Sequence, residues 1–291
     1  MFPDFHVDMA APVEAFINEG GRIIGVRLAD RRELRAGKLV IAADGRSSLV
    51  RRLGLLDLET LGAPMDVSWF RLPKADNPGD VLRASVQTGR MVILIDRQTY
   101  WQAGFLIAKG TGEVVRARGV EWIRGEVQKA FPDINLPSDS LTRIKDLHLL
   151  EVALDRLVDW HRPGLLVIGD AAHAMSPIGG IGINLAIQDA VAAANILAAP
   201  LARGEEVDAL LGKVQPRRLF PTRIIQAGQR AAQNAIIGRV LGGAPVTRAA
   251  WPVRMLDRFP LLRRIPGRII GLGVRRERVR SPLAAPSPLP D

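Results

Sequence analysis

Two continuous apolar segments in the chain are typical of strands that are buried on both faces of a parallel sheet. Lys38 to Ala43 (KLVIAA) stops at Asp44-Gly45, and Gly164 to Ile168 (GLLVI) stops at Gly169-Asp170. Each segment therefore places an acidic residue and a glycine at the carboxyl end of a strand. In α/β sheets, ligand sites lie at this end of the strands.

The first residues show a weaker strand pattern. Two short strands are predicted over residues 7–16 and 22–28, with a Gly20-Gly21 turn between them and a polar turn over 29–35. A short helix is predicted over 48–53. Ser47 can cap its start, and Gly54 ends it.

Between the two buried segments, residues 58–160 have a different pattern. Short β-rich segments separated by Pro, Gly and Asp predict an antiparallel sheet, and one helix is predicted over about 114–130. Tyr100, Trp101 and Phe105 lie on one of these strands. They could face an aromatic substrate, although at strand spacing such residues more often pack in a core.

The second half of the chain is predicted to be helical. Residues 182–200 form a long and largely apolar helix that we expect to be mostly buried. Residues 204–280 predict Arg-rich helices broken by prolines. The last residues, 281–291, are rich in Pro, Ala and Ser and are predicted to be disordered.

The composition excludes several classes of function. The 291 residues include no cysteine, which excludes disulfides, thiolate metal sites and Cys nucleophiles. His6, His148 and His161 show no metal-ligand spacing, so no metal is expected. The chain has neither an 18-residue apolar segment nor a secretory signal pattern, and we expect a cytoplasmic protein.

The net charge of +10 is concentrated in the C-terminal third. Residues 203–280 carry 17 Lys and Arg against 5 Asp and Glu. Most of these arginines stand singly among apolar residues, which is typical of solvated helix faces. Residues 261–280 are also amphipathic enough to contact an anionic membrane surface. Aromatic residues do not alternate with the basic ones, so no nucleic-acid partner is expected.

The first candidate motif is IAADGRSSLVR, residues 41–51. Gly45 permits a tight turn, and the helix that follows offers free backbone amides to an anion. Arg46 or Arg51 could add charged contacts to a pyrophosphate. The alternative is a structural turn in which Asp44 only caps backbone amides.

The second candidate motif is GDAAHAMSPIGGIGIN, residues 169–184. Asp170 ends a strand and can accept a ribose hydroxyl. Pro177, Gly179, Gly180 and Gly182 form a loop with few side chains in front of a helix. Backbone amides there can approach a flat or anionic ligand closely.

The order of these features resembles a known family. ADGxxSxVR after a strand, an antiparallel insertion, and GDAAHxxxPxxGxGxN before a long helix are found in FAD-dependent monooxygenases of the p-hydroxybenzoate hydroxylase type. The resemblance covers roughly residues 1–202. It implies an α/β (α+β) fold in which an incomplete three-layer FAD/NAD(P)-binding domain accompanies an antiparallel-sheet substrate domain and a C-terminal helical region. The implied boundaries are 1–57 with 161–203, then 58–160, 204–280, and a tail at 281–291.

The resemblance also implies the cofactor site. Asp170 would bind the ribose or ribityl part of FAD, residues 177–184 would lie along the isoalloxazine ring, and residues 44–51 would lie near the pyrophosphate, in a segment linked to both FAD and NAD(P)H. His173 could relay a proton or stabilise its loop, and no catalytic residue is named. The candidate cofactor-binding residues are Asp44, Gly45, Arg51, Gly169, Asp170, Ala171, His173, Pro177, Gly179, Gly180, Gly182, Ile183 and Asn184.

The implied reaction uses NAD(P)H and O2 to hydroxylate an aromatic or other apolar small molecule. Within flavoenzymes, a prenyl reductase or a halogenase carries the same two motifs. An alternative of another class is a non-catalytic remnant, or one chain of a two-chain flavoprotein. A homodimer is a further expectation, because exposed strand edges recruit other chains.

One departure from the family is a missing GxGxxG segment, which seats the ADP half of FAD. The nearest candidates, Gly180 to Gly182 and Gly271 to Gly273, do not follow a strand into a suitable helix. We therefore expect an N-terminally shortened member whose 291 residues bind FAD weakly or not at all. A stable, yellow, monomeric preparation would contradict this expectation.

Overall fold

The computed structural model describes residues 5–74, 82–134, 136–137, 139–234, 238–243, 254–255 and 258–281. Nearly all of the tail predicted to be disordered, 282–291, lies outside the described residues.

The strands are β1 (Val13–Glu19), β2 (Arg22–Leu28), β3 (Glu33–Arg35), β4 (Val40–Ala42), β5 (Leu58–Thr60), β6 (Met65–Pro73), β7 (Leu82–Gln87), β8 (Arg90–Asp96), β9 (Tyr100–Ala108), β10 (His148–Leu150), β11 (Asp155–Leu157), β12 (His161–Arg162) and β13 (Leu165–Val167). The α-helices are α1 (Leu49–Arg52), α2 (Gly112–Ala117), α3 (Gly119–Ala130), α4 (Gly182–Ala202), α5 (Asp208–Leu211), α6 (Val214–Ala232), α7 (Gly238–Leu241) and α8 (Arg264–Leu272). Four 3-10 turns are described at Ile144–Asp146, Gly169–Ala171, Ile178–Gly180 and Pro260–Arg263.

The chain forms two compact units. Unit 1 comprises Met1–Leu61, Leu154–Gln226 and Gly267–Asp291, and unit 2 comprises Gly62–Ala153 and Ala227–Pro266. The pairing of β5 with β11 places residues 58–60 and 155–157 in unit 1. The basic C-terminal region is divided between the two units.

The central sheet of unit 1 has the order β12-β13-β4. β13 pairs in parallel with β4, and Leu166 lies opposite Ile41. On its other side, β13 pairs antiparallel with β12. The three residues of β13 are fully buried, as predicted for a strand covered on both faces. The same prediction is wrong for β4, because Ile41 is 47% exposed on a strand that pairs, among the described residues, with β13 alone.

Two further layers cover this sheet, which gives the predicted three-layer arrangement. On one face, Leu166 and Ile168 pack with Ala193 and Leu197 of α4 and with Leu211 of α5. On the other face, the antiparallel β1-β2-β3 sheet and α1 contribute residues to a core that also contains Leu157, Trp160, Leu165 and Val167. The segment predicted as a polar turn over 29–35 includes β3, whose residues are all exposed.

Helix α4 is less buried than predicted. Ile183 and Ile187 are 69% and 56% exposed, while Asp189 is fully buried together with Leu185 and Leu197. By length and composition alone, α4 is also the one described helix that could cross a membrane. Core helices of soluble proteins pass the same test.

Unit 2 contains a five-stranded antiparallel sheet of order β10-β6-β9-β8-β7. Its helix-covered face packs on α3 through Ile123 and Val127, in a core with Phe70, Leu94 and Phe105. The helix predicted over 114–130 is divided into α2 and α3 at Gly119, which has a φ of +82°. In unit 2, α2 and α3 therefore pack on one face of the sheet.

The end of the described chain is only partly helical. Helix α8 exposes Ile269, Ile270 and Leu272 alongside its arginines, and contact of 261–280 with an anionic membrane stays a prediction. Over residues 274–281 the chain is irregular, and Glu277 is buried.

Asp66 of unit 2 provides a test of the packing. Its buried carboxylate accepts hydrogen bonds from Lys109 Nζ (2.7 Å), Val152 N (2.8 Å) and Gly110 N (2.9 Å). Burial alone raises the pKa of this carboxyl, but these hydrogen bonds outweigh burial and lower it below its usual 3.8. We expect Asp66→Asn to reduce the free energy of unfolding by about 1–3 kcal/mol at about pH 7.

The pH dependence has a defined sign, because a carboxyl with a lowered pKa stabilises the fold only while it is ionised. Its contribution is complete above pH 3.8 and is lost as the pH falls through the lower pKa of the folded state. Urea unfolding curves of wild type and Asp66→Asn should therefore converge in acid. A difference that stays constant between about pH 7 and about pH 3 would contradict this account.

Candidate functional site

The two sequence motifs meet at one end of the central sheet of unit 1. Because β4 and β13 are parallel neighbours, Asp44-Gly45 and Gly169-Asp170 follow the same edge. A groove of about 460 Å³ opens beside them. It is lined by Ala43, Gly45, Ile168, Gly169, Asp170, Ile183, Ala186, Ile187 and Ala190. The structure thus brings together residues that are more than 120 positions apart in sequence.

Gly169 forms the turn that directs the chain from β13 into this groove. Its φ of +62° is a left-handed conformation, which favours glycine. Its carbonyl accepts hydrogen bonds from the amides of Ala172 and His173, both at 2.9 Å. A Cβ at this position would lie 3.1 Å from Ala186 Cβ, so the turn packs directly against α4.

Asp170 and Arg46 form the polar side of the groove region. Arg46 Nη2 donates to Asp170 Oδ2 at 3.2 Å, and both side chains are about a third exposed. Arg46 Nη1 is buried without a hydrogen-bond partner among the described residues. The site therefore offers one carboxylate that can accept a hydroxyl hydrogen and one guanidinium with donor capacity left over.

The loop before α4 leaves that helix without a side-chain cap. Gly179 and Gly180 have φ values of +78° and +62°, and both are exposed. Ile181 occupies the N-cap position and makes no side-chain cap bond, so the first amides of α4 remain available. Gly182 lies beside Asp170 at this helix end, and Asn184 Nδ2 donates to Ile270 O (3.3 Å).

Two predicted residues of the first motif have structural partners. Asp44 Oδ2 accepts the amide of Leu49 at 2.8 Å, which is the capping role weighed as its alternative. Arg51 is buried and bonds Asp155 Oδ1 and Ala171 O, both at 2.7 Å. Arg51 thus supports the 169–171 turn from behind, and Arg46 is the arginine adjacent to the groove.

His173 is fully buried behind the same turn. Its Nε2 lies 2.6 Å from Asp189 Oδ2, and its ring stacks on Trp160 with a centroid distance of 4.9 Å. Burial alone raises the pKa of Asp189, but the contacts with His173 and Arg218 lower it overall. This geometry fits the loop-stabilising role better than a proton relay.

The remaining candidate residues occupy different positions along the second motif. Ala171 is fully buried, and Pro177 is half-buried at the start of the glycine loop. In the described part of the chain, no group of three or more His, Cys, Asp or Glu side chains could hold a metal ion.

A second candidate surface lies on unit 2, and the cofactor-binding residues predicted from the sequence do not include it. Trp101 and Phe105 face the α3 core, as the core interpretation predicted, whereas Tyr100 lies on the opposite face of the sheet. The opposite face of the sheet is also apolar and is only partly covered. It carries Trp69, Leu82, Ala84, Val86, Met91, Ile93 and Ile95, with Leu82 60% exposed.

A signal for this surface exists in the sequence. β8 reads RMVILID, so apolar residues point to both faces of the sheet rather than to one. At its centre, Gly104 leaves room for Ile93 and Trp69, each 2.8 Å from where a Cβ would lie.

Comparison with known proteins identifies related chains. Residues 2–227 match the family model described as an FAD binding domain. A 6-methylpretetramide 4-monooxygenase from Streptomyces rimosus is 32% identical over 97% of this chain and 67% of its own length. The 3-demethoxyubiquinol 3-hydroxylase of Escherichia coli (strain K12) is 24% identical over 67% of this chain and 50% of its own.

Solved structures share the fold. PqsL, a probable FAD-dependent monooxygenase from Pseudomonas aeruginosa, aligns with a TM-score of 0.62 and 24% identity, over 80% of this chain and 66% of that chain. This chain therefore spans roughly half to two thirds of the length of these relatives.

Two glycines with the same φ test the turn at Gly169. Gly169 and Gly180 both have a φ of +62°, but a Cβ at Gly180 would meet no atom of the described residues within 4 Å. Gly180→Ala should lower the free energy of unfolding by about 1–2 kcal/mol, from backbone strain alone. Gly169→Ala should cost about 1–3 kcal/mol more, because it also crowds Ala186. Urea unfolding of both variants measures the difference, and equal losses would refute the close packing of the turn on α4.

Proposed function

The chain belongs to the FAD-binding family of flavoprotein monooxygenases, and from that premise we propose that it contributes the flavin site and the substrate surface of an aromatic hydroxylase. The observation that carries the proposal is the parallel pairing of β4 with β13. This pairing brings Gly45, Gly169 and Asp170 to one groove beside the start of α4.

The residues present fit FAD. The unpartnered, buried Nη1 of Arg46 suits an anionic oxygen, and the carboxylate of Asp170 suits a sugar or ribityl hydroxyl. Gly45 and Gly169 put no side chain in front of the groove, and the uncapped start of α4 favours negative charge or an electron-rich ring edge. A ligand with hydroxyls, phosphates and a flat ring matches this donor and acceptor set.

When bound, FAD supplies the redox chemistry, taking reducing equivalents from NAD(P)H and using O2 to oxygenate the substrate. The residues of this chain would bind the cofactor and orient it. Asp170 and Arg46 would hold the polar part of the cofactor, and the amides at Gly182, Ile183 and Asn184 would stabilise negative charge at the helix end. Arg51 and His173 hold the 169–171 turn from behind.

We infer that the open sheet face of unit 2 contacts the substrate. Its side chains are mostly aliphatic or aromatic, and the Arg71 guanidinium on the same face lies over the Tyr100 ring, 4.7 Å from its centroid. Burying an apolar ring against such a surface is favourable by roughly 25 cal/mol per Å² of area removed from water. The surface therefore suits an aromatic or other apolar small molecule.

FAD binding is tested by titrating the 291-residue chain with FAD and following flavin absorption and fluorescence quenching. We expect wild type to perturb the flavin spectrum with a Kd in the micromolar range or weaker. No binding at all, the other outcome expected for a chain without the GxGxxG segment, would count against the proposed site. Asp170→Ala should weaken binding at least about fivefold, which corresponds to about 1 kcal/mol for one lost hydrogen bond.

Asp159→Ala is the matched control, because Asp159 is an exposed carboxylate of the same unit that lies outside the groove. It should leave the affinity unchanged. No spectral perturbation up to about 1 mM FAD, or equal weakening by both variants, would contradict the proposed site.

The substrate surface is tested by NAD(P)H oxidation in the presence of FAD, O2 and a panel of phenols. Ile93→Asn should raise the KM for an active phenol several-fold without changing FAD affinity, since it places a polar group on the apolar face. Val114→Asn is the control, because Val114 lies on α2 and is exposed. A hydroxylated product supports a monooxygenase. Halide incorporation or alkene reduction would indicate the halogenase or reductase alternative, and no turnover would favour the non-catalytic one.

A further inference from the structure

A buried group of charged side chains lies behind the 169–171 turn, with Asp189 at its centre. Asp189 Oδ2 accepts the amide of Gly169 at 3.1 Å and contacts His173 Nε2, while its Oδ1 accepts from Arg218 Nε at 2.8 Å. The side chains of Asp189, His173 and Arg218 have no solvent exposure. One carboxylate thus joins the turn to helices α4 and α6.

The C-terminal segment Gly273–Ser281, here called the strap, connects to this group. Glu277 is 1% exposed and receives two hydrogen bonds from Arg217, at 2.8 and 2.7 Å. Glu277 Oε1 also lies 3.8 Å from Arg218 Nη1, and that same nitrogen donates to the carbonyl of Arg275 at 3.2 Å. Arg218 is therefore held between Asp189 on one side and the strap on the other.

The strap is also fixed along α4. Asn195 Nδ2 donates to Arg278 O at 2.8 Å, and Asn195 Oδ1 accepts the amides of Arg280 and Ser281 at 2.6 and 2.9 Å. The amide of Glu277 donates to Gln188 Oε1 at 3.4 Å. These bonds hold Glu277 at the position where it contacts Arg217 and the buried Arg218.

Charge balance makes Glu277 important to the whole group. Removing one member of a buried ionic group leaves the others without compensation, so they move or admit water. Without Glu277, Arg217 would lose its carboxylate partner, and Arg218 would keep only Asp189. Arg218 Nη2 already has no hydrogen-bond partner in the described part of the chain, so Arg218 has few contacts that would keep it in place.

We propose that Glu277 is a positioning residue for the candidate cofactor site, acting through Arg218 and Asp189 to fix the turn Gly169–Ala171. The expected effect of Glu277 on FAD binding rests on the proposed function. The expected effect of Glu277 on the turn does not depend on FAD. Glu277 lies beyond residues 2–227, which the family model matches. The strap is thus a part of the site that the motifs do not include.

The experiment is hydrogen exchange of the ligand-free chain, followed by mass spectrometry on peptides covering residues 165–176. The amides of Gly169, Ala172 and His173 are hydrogen-bonded in the turn, so their exchange reports its opening. Glu277→Ala should speed their exchange by about fivefold or more, and Glu277→Gln, which keeps the shape, by a smaller factor. Glu277→Asp should restore part of the protection.

Asp66→Asn is the matched control, since it also removes a buried carboxylate with a cationic partner but lies in unit 2. It should lower the melting temperature while leaving exchange over 165–176 unchanged. A general loss of stability would instead speed exchange in both variants alike, and that result would overturn the proposal. Unchanged exchange over 165–176 in Glu277→Ala would also overturn it.

FAD titration of the same variants separates the two proposals. If wild type binds FAD, Glu277→Ala should raise the Kd for FAD by about the same factor by which it speeds exchange over residues 165–176. A strongly loosened turn with unchanged FAD affinity would overturn the positioning role. If wild type takes up no FAD while Glu277→Ala still loosens the turn, the proposed function fails and the link between strap and turn stands.

Discussion

The parallel pairing of β4 with β13 is the constraint on which the site depends. Three backbone pairs, from Val40 and Leu165 to Ala42 and Val167, set the register of two segments that are far apart in sequence. Every later feature follows from that register. The turns after both strands point to the same side, α4 begins beside them, and the groove lies where the two turns meet.

Much of this site could be predicted from sequence, because its determinants are local. Apolar strands that end in Asp-Gly and Gly-Asp, and a glycine-rich loop before a long helix, are short-range patterns with direct backbone consequences. The positions of Gly45, Gly169 and Asp170 in the groove agree with those patterns. Arg51 did not follow as simply, because its partners, Asp155 Oδ1 and Ala171 O, lie more than 100 residues away and depend on the fold as a whole. Asp44 accepts the nearby amide of Leu49, the local capping role that its sequence allowed as an alternative.

Burial was harder to predict than element type. The sequence of α4 suggests a helix that is apolar on every side, yet its isoleucines 183 and 187 are exposed and its aspartate 189 is buried. Arg218, the cation that makes that aspartate tolerable, and Glu277, which contacts Arg218 from the other side, lie far along the chain in a region whose sequence is typical of solvated basic helices. A single charged residue carries no sign of its partner in a sequence, so an ionic core of this kind becomes visible only in three dimensions.

The close approach at Gly169 also has a consequence for how this chain can vary. The turn and α4 are in contact at Gly169 and Ala186, where even one added methyl would lie 3.1 Å from the opposing Cβ. A larger side chain at either position requires a smaller one at the other, and Gly169 has no side chain that could become smaller. Among related sequences, residue 186 should therefore stay small wherever 169 is glycine, and helix and turn should evolve as a coupled pair rather than as independent sites.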